Sequence, residues 1–422
     1  MLNTFLTLVN EAPHAVAMID GESGAVTTRA ALLARSEALA PTLPSSGLFV
    51  LQLPNGVDFV ATFVAAMMKK LVVVPIDRDA PASEVAAIAR HFGKPSLPSD
   101  ARLLKLTSGS TGAPKGIVTT EANLIADCRN ICSSMSISAD DLNLGAIPFS
   151  HSYGFSNLVT PLLLQGTAVV YSNDYLPQSI VDLANRHRCT VAPLIPMVYA
   201  HLASAAHGEF ESIRTFLSAG APLPATTSRR FRERFGIDIH SFYGCSECGG
   251  IAYDRAGGAV ERGTVGTAME GVTLTIEGGR LQVESESVAA GYLLDERTFA
   301  PIARPFVTDD LVELRENEVA LTGRASDLIN TAGKKVNPRE VEAVLLQIDG
   351  VREAKVYGEE AGARGEVVAA AIVATPDVTR EQVREFCRTR LSLHKVPRIV
   401  KIIDSMPVDE RGKIRRAALA AL

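Results

Sequence analysis

The residues best suited to chemistry fall in one run, Leu106-Thr107-Ser108-Gly109-Ser110-Thr111-Gly112-Ala113-Pro114-Lys115-Gly116. Its three glycines let the backbone turn tightly and approach an anion, and four hydroxyls with the Lys115 ammonium supply donors. That composition suits a loop that cradles phosphate. It is not the Walker loop, because Gly116 stands where that loop carries Ser or Thr after its Lys. By residue type alone a flexible surface loop remains the alternative. A second spacing of interest is Cys245-Ser246-Glu247-Cys248, a C-x-x-C. As a metal site it lacks a second Cys/His pair, and as a redox couple it lacks a thioredoxin-like context. Cys128 and Cys132, four apart on a predicted helix, read as buried apolar residues. Lys413 lies in the charged tail Asp409-Glu410-Arg411-Gly412-Lys413-Ile414-Arg415-Arg416, where residue type alone reads as a solvated lysine. Glu247 by the same standard is a surface charge.

These residues need a scaffold, and short apolar runs alternating with helical stretches provide one. Strands are predicted over 48–53, 72–76, 143–147, 167–171 and 191–196, with helices over 55–70, 81–92, 123–135 and 180–187. The order is that of a layered α/β body with a parallel sheet, extending to about residue 250. From 264 to 318 short alternating strands with turns such as Gly278-Gly279 predict a small β subdomain. Asn337-Pro338-Arg339-Glu340 then predicts a capped helix to about 347, with strands over 353–357 and 367–373 and a second capped helix opening at Thr379-Arg380-Glu381-Gln382. The last 95 or so residues form a compact α+β domain. The expected fold class is α/β: a large N-terminal domain of layered α/β subdomains plus a small β subdomain, followed by a small mobile α+β C-terminal domain.

Composition narrows the function. The chain has 422 residues, room for two or three domains. Lys+Arg 42 against Asp+Glu 47 gives −5, so nothing favours a nucleic-acid partner. Hydrophobic residues at 47% and charged residues at 21% exclude wholesale disorder. The N-terminal residues do not read as an export signal, the longest apolar stretches are too short to span a membrane, and six cysteines fit a reduced, cytoplasmic protein.

The loop at 106–116 resembles the phosphate-binding signature of the adenylate-forming superfamily of acyl-CoA synthetases, peptide-synthetase adenylation domains and luciferases. Further motifs follow in that family's order. Pro148-Phe149-Ser150-His151-Ser152-Tyr153-Gly154 resembles the motif beside the acyl pocket, and Ser218-Ala219-Gly220-Ala221-Pro222-Leu223 the strand and turn under the adenine. Tyr243-Gly244-Cys245-Ser246-Glu247 resembles Y-G-x-[ST]-E, Gly291-Tyr292-Leu293 with Thr298 the next block, and Thr308-Asp309-Asp310-Leu311 resembles T-G-D-L. Gly323-Arg324 opens the hinge motif, and Pro407 to Lys413 resembles P-x-x-x-x-G-K.

The resemblance implies an adenylation core over 1–324, a hinge at 325–327 and a lid domain over 328–422. It implies ATP-dependent activation of a carboxylic acid to an acyl-adenylate with release of pyrophosphate, then acyl transfer to the thiol of CoA. Two anions meet in the first step, so cations and donors on the developing phosphate charge matter more than a general base. Lys413 would bridge carboxylate and α-phosphate, and Glu247 would contact Mg²⁺. Thr107, Ser108, Gly109, Ser110, Thr111, Gly112 and Lys115 would hold the phosphates. Gly220, Ala221 and Pro222 would lie under the adenine with Tyr243 stacked on it, Gly244 and Ser246 would also bind ATP, and Asp310 and Arg324 would lie at the ribose. His151, Phe155, Gly249, Gly250 and Ile251 would line the acyl pocket, the glycines leaving room for an aryl ring or an alkyl chain. Gly333, Lys334 and Lys335 would face the thiol acceptor. Amino-acid-activating relatives carry Asp where this chain has His151-Ser152, so a plain acid is expected.

Two positions depart from the pattern: Asp309 replaces Gly, and Ser326 replaces the Asp or Lys of the hinge. The region before Leu106 is also shorter than usual in the family. Alternatives are a ligase that loads a carrier-protein phosphopantetheine, and a non-catalytic nucleotide-binding homologue.

Overall fold

The computed structural model describes residues 1–93, 95–108, 114–205, 207–331, 334–360, 366–407 and 419 of the chain. It divides into two compact units. One comprises 1–275, 282–306 and 315–319, and the other 276–281, 307–314 and 320–422.

The first unit carries two sheets. In the larger, five neighbouring strands run parallel in the spatial order Ile239–Cys245, Thr215–Ser218, Val191–Leu194, Leu142–Gly145 and Ala168–Tyr171. Val16–Asp20 adds in parallel beyond Ala168–Tyr171, and antiparallel strands flank both ends, giving nine strands. The smaller sheet has six strands. Leu48–Leu51, Val72–Pro75 and Ala101–Ser108 run parallel, and Pro114–Thr120, Gly291–Leu293 and Phe299–Pro301 continue antiparallel.

Sequence explains these elements locally. Val57–Met68 is an almost wholly buried helix, Phe59 to Met67 all being covered, which is why its pattern reads as apolar all round. It packs into a core with Phe149, Phe155 and Leu162. Thr120 caps the helix Glu121–Met135 through a reciprocal bond with Asn123, so this helix starts two residues before the predicted 123. Pro81 is the cap of Ala82–Phe92, not its first residue. The predicted strand over 191–196 ends at Leu194, and Pro196 opens a helix, Pro196–Ala205, that the apolar run concealed.

A four-stranded sheet, in the order Thr273–Glu277, Arg280–Glu284, Phe306–Arg315 and Glu318–Arg324, supplies residues to both units. In the second unit Val351–Glu360 and Glu366–Ala374 pair antiparallel, with Ile399–Ile402 parallel at the edge. Both predicted caps form: the Asn337 side chain accepts from the Arg339 amide, and Thr379 and Gln382 complete a capping box. Glu340 instead pairs with Lys395 at 2.5 Å. The core of this unit gathers Val341, Leu345, Val356, Ile372 and Val383.

Candidate active site

Residues 109–113 join the antiparallel strands Ala101–Ser108 and Pro114–Thr120, with Thr107 opposite Lys115 and Ser108 opposite Pro114. The strands on either side of the candidate phosphate loop are thus antiparallel neighbours. Gly109, Ser110, Thr111 and Gly112 lie outside the described residues, as do Gly333 and Lys413.

Beside those strands stands a hairpin. Ile239–Cys245 and Gly249–Tyr253 pair antiparallel, with Ser246, Glu247 and Cys248 forming the turn. Three groups hold this turn. Lys105, buried on the strand that enters the phosphate loop, donates from Nζ to the Ser246 carbonyl at 3.4 Å. The Ser152 and Ser246 hydroxyls meet at 3.3 Å. The Tyr292 hydroxyl donates to Glu247 Oε1 at 3.2 Å. Burial, and then the Glu247 charge, push the Tyr292 phenol well up, so it stays a donor at neutral pH. Tyr292 itself sits opposite Ile117, on the strand leaving the loop.

The far side of the turn is fixed by Asp127, which is buried on the helix Glu121–Met135. Its Oδ1 accepts from the Gly250 amide at 2.8 Å, and its Oδ2 accepts from the Ser156 hydroxyl at 2.7 Å. Gly249 has φ +71°, and a Cβ there would lie 2.1 Å from Asp127 Oδ1. At Gly250 a Cβ would meet Met269 Sδ at 2.7 Å. A side chain at either position would collide with the protein's own atoms. Phe155, also expected at the pocket, is fully buried and packs edge-on against Phe63 at 4.9 Å. Ile251 is likewise fully buried.

His151 is the central residue of the segment 148–154. Asn55, buried below it, accepts from the Phe149 amide and donates to the Ile147 carbonyl, both at 2.8 Å. The His151 Nε2 meets Asp77 Oδ1 at 2.5 Å, and the Ser150 hydroxyl donates to the same oxygen at 3.1 Å. Tyr153 turns inward and donates to the Leu217 carbonyl at 3.0 Å. Gly220, Ala221 and Pro222 are exposed just beyond the strand Thr215–Ser218, whose Ser218 stands opposite Ser241. Buried Tyr243 follows two residues on. Ligand sites of parallel sheets lie at such strand ends.

In the second unit Arg324 Nε donates to Asp310 Oδ1 at 3.1 Å. Burial opposes the Arg324 charge, yet the carboxylate beside it holds its pKa above the ordinary value. The two departures from the family pattern meet each other: Asp309 accepts from the Ser326 amide at 3.1 Å and from the Ser326 hydroxyl. Lys334 and Lys335 are exposed on a strand, Lys334–Val336, paired with Ile329–Thr331.

Among the described residues no group of three His, Cys, Asp or Glu could hold a metal. All six cysteines are free, and Cys248 is fully buried. No helix of the described residues is long and apolar enough to cross a membrane.

The family described as "AMP-binding enzyme" matches residues 93–293, and "AMP-binding enzyme C-terminal domain" matches 340–413. The chain belongs to the AMP-binding enzymes. It is 29% identical over 422 aligned positions to a feruloyl-CoA synthase of Amycolatopsis, covering 93% of this chain and 83% of that one. A sulfoacetate–CoA ligase of Cupriavidus necator is 28% identical, over 83% of this chain and 72% of its own. In fold it is similar to the o-succinylbenzoate CoA synthetase of Bacillus subtilis solved with its acyl-adenylate. The TM-score is 0.85 and the identity 24%, over 99% of this chain and 97% of that one. The chain is thus an AMP-forming acid–thiol ligase, which activates a carboxylic acid with ATP and passes the acyl group to a thiol.

Asp77, Lys105, Asp127 and Asn55 were not singled out by the sequence. Only Asp77 carries a signal, a carboxylate one residue beyond a buried strand run.

Proposed function

We propose that this ligase takes a carboxylic acid without an α-amino group and uses CoA as acceptor. The observation that carries the reading is the Ser246-Glu247 turn. Lys105, Ser152 and Tyr292 hold it beside the strands that flank the Gly/Ser/Thr segment. In this reading Thr107, Lys115 and the residues of that segment bind phosphate, Tyr243 stacks on the adenine with Gly220, Ala221 and Pro222 below it, and Asp310 accepts from the ribose hydroxyls with Arg324 alongside. Lys413 supplies the cation that lets carboxylate and α-phosphate approach.

Mg²⁺ fits the donor set. The ion takes one or two carboxylates plus phosphate oxygens and water, and Glu247 offers one hard carboxylate held in place by Tyr292. Bound there, Mg²⁺ would neutralise phosphate charge. Lys334 and Lys335, exposed on their strand, offer cations to the acceptor's phosphates, and Ser326 is the proposed hinge residue. The lack of an Asp in the 148–154 motif and the similarity to a feruloyl-CoA synthase over 93% of this chain support a plain acid.

The test is hydroxamate trapping with ATP, Mg²⁺, hydroxylamine and a panel of short, long and aromatic acids, each with and without CoA. A hydroxamate with one plain acid, replaced by its CoA thioester when CoA is added, is expected. Hydroxamates with amino acids alone would overturn the substrate class. An adenylate that persists in CoA and discharges onto a phosphopantetheinylated carrier protein would overturn the acceptor.

A further inference from the structure

Asp77 follows the parallel strand Val72–Pro75 of the smaller sheet, whereas His151 follows Leu142–Gly145 of the larger. The chain thus brings a carboxylate from one sheet against an imidazole from the other, 74 residues apart in sequence and 2.5 Å apart in space. Both side chains are about one-third exposed, His151 at 36% and Asp77 at 35%, so the pair sits at a surface that a ligand can reach. Asp77 Oδ1 also takes the Ser150 hydroxyl, and Gln52 Nε2 donates to the carbonyls of Arg78 at 3.0 Å and Ala80 at 2.7 Å. The loop that carries the carboxylate is therefore itself tied down.

We propose that Asp77 is a positioning residue for His151 in the binding and activation of the acid. An ionised carboxylate only accepts hydrogen bonds, so Nε2 is the protonated ring nitrogen in the pair. Asp77 thereby fixes both the tautomer and the orientation of the imidazole. Nδ1 is then the nitrogen through which His151 acts on the bound acid. The Ser150 bond holds the backbone on the N-terminal side of the ring, and Asn55 holds the segment just before it. The ring is held at Nε2 by Asp77, and the backbone just before it is held by Ser150 and Asn55, while the side chain stays about one-third exposed. This inference rests on the reading that His151 lines the acid pocket.

The experiment is a double-mutant cycle on the full chain with Asp77→Asn, His151→Ala and the double variant, with Asp77→Glu as the conservative rescue. Each is assayed for acid-dependent pyrophosphate release at varied acid and varied ATP. Loss of a charge-assisted bond at a partly exposed site should lower kcat/KM for the acid about tenfold, with KM for ATP unchanged. Asp77→Asn should have little further effect once His151 is Ala, and Asp77→Glu should restore part of the loss. Additive losses in the double variant, or equal changes in KM for acid and for ATP, would overturn the proposal.

A ¹⁵N NMR measurement of the imidazoles separates this claim from the function on which it rests. The His151 signal should report a protonated, hydrogen-bonded Nε2 in the free enzyme and lose that signature in Asp77→Asn. An Nε2 signal that Asp77→Asn leaves unmoved would overturn the pairing itself. Should the wild-type release no pyrophosphate with any acid while the NMR signature holds, the functional reading fails and the proposed role of Asp77 fails with it, leaving only the pairing.

Discussion

Gly249→Ala should damage both stability and activity, and the structure divides the cost in two. The residue sits at φ +71°, where an L side chain costs about 1 to 2 kcal/mol. The added methyl would also lie 2.1 Å from Asp127 Oδ1, inside a buried hydrogen-bonded cluster. Forced displacement of that kind costs about 1 to 3 kcal/mol more. A control isolates the second part. Gly236, which ends the helix Ala225–Phe235, has φ +72° with nothing within 4 Å of its would-be Cβ, so Gly236→Ala carries the backbone cost alone. The chain has no Trp, so urea unfolding is best followed by far-UV circular dichroism. Gly249→Ala should unfold at the lower midpoint, by an amount worth about 1 to 3 kcal/mol. It should also lose acid-dependent pyrophosphate release, because the turn that presents Glu247 moves with residue 249, whereas Gly236→Ala should keep that activity. Equal midpoints for the two variants would refute the packing of Asp127 against Gly249.

Lys413→Ala should abolish adenylate formation while leaving ATP binding, measured by calorimetry, largely intact; unchanged adenylation would remove Lys413 from its proposed role. Asp310→Ala should raise KM for ATP by about tenfold, the size of a lost bond to a charged acceptor, with KM for the acid unchanged, as initial-rate kinetics can check. Ser326→Ala should slow overall turnover more than acyl-adenylate formation if Ser326 is the hinge; equal slowing of both steps would argue against it. The Asp141 carboxyl is buried, which opposes its charge, but bonds from Arg214, the Ser138 amide and Thr190 together hold its pKa below the ordinary 3.8. A depressed folded value means that its stabilisation is present above 3.8 and is lost as pH falls through the lower folded value. Asp141→Asn should therefore be less stable at neutral pH, and its deficit against wild type should shrink in acid unfolding curves below that window.

Much of the scaffold was legible because it rests on local patterns. The all-apolar face of Val57–Met68, the run Val72–Pro75 and the caps at Asn337 and Thr379 each follow from a few adjacent residues. The helix Pro196–Ala205 was not, since Pro193-Leu194-Ile195-Pro196 continues the apolar run of the preceding strand without a polar break. Within the site, the residues that bear motifs were legible and the residues that hold them were not. Lys105 reaches a carbonyl 141 residues away, Asp127 an amide 123 away, and Asn55 a carbonyl 92 away. Such contacts are set by tertiary packing and leave no trace in local spacing. The C-x-x-C has a simpler account: Cys245 ends the strand before the Glu247 turn, and Cys248 is the buried last residue of that turn.

The departures at Asp309 and Ser326 were visible in the sequence as two separate oddities, yet the fold makes them one contact. The serine supplies donors to the carboxylate that stands in place of glycine, so neither replacement argues by itself for a non-catalytic chain.

The most direct test of the central claim follows oxygen. Turnover with a carboxylic acid labelled with ¹⁸O in its carboxylate, ATP, Mg²⁺ and CoA should deliver one labelled oxygen to AMP, detected by mass spectrometry. The bond from the acid oxygen to the α-phosphorus forms in the first step and stays with AMP when the thiol takes the acyl group. Label found in orthophosphate, with ADP as the nucleotide product, or CoA thioester formed alongside unlabelled AMP, would contradict the acyl-adenylate route.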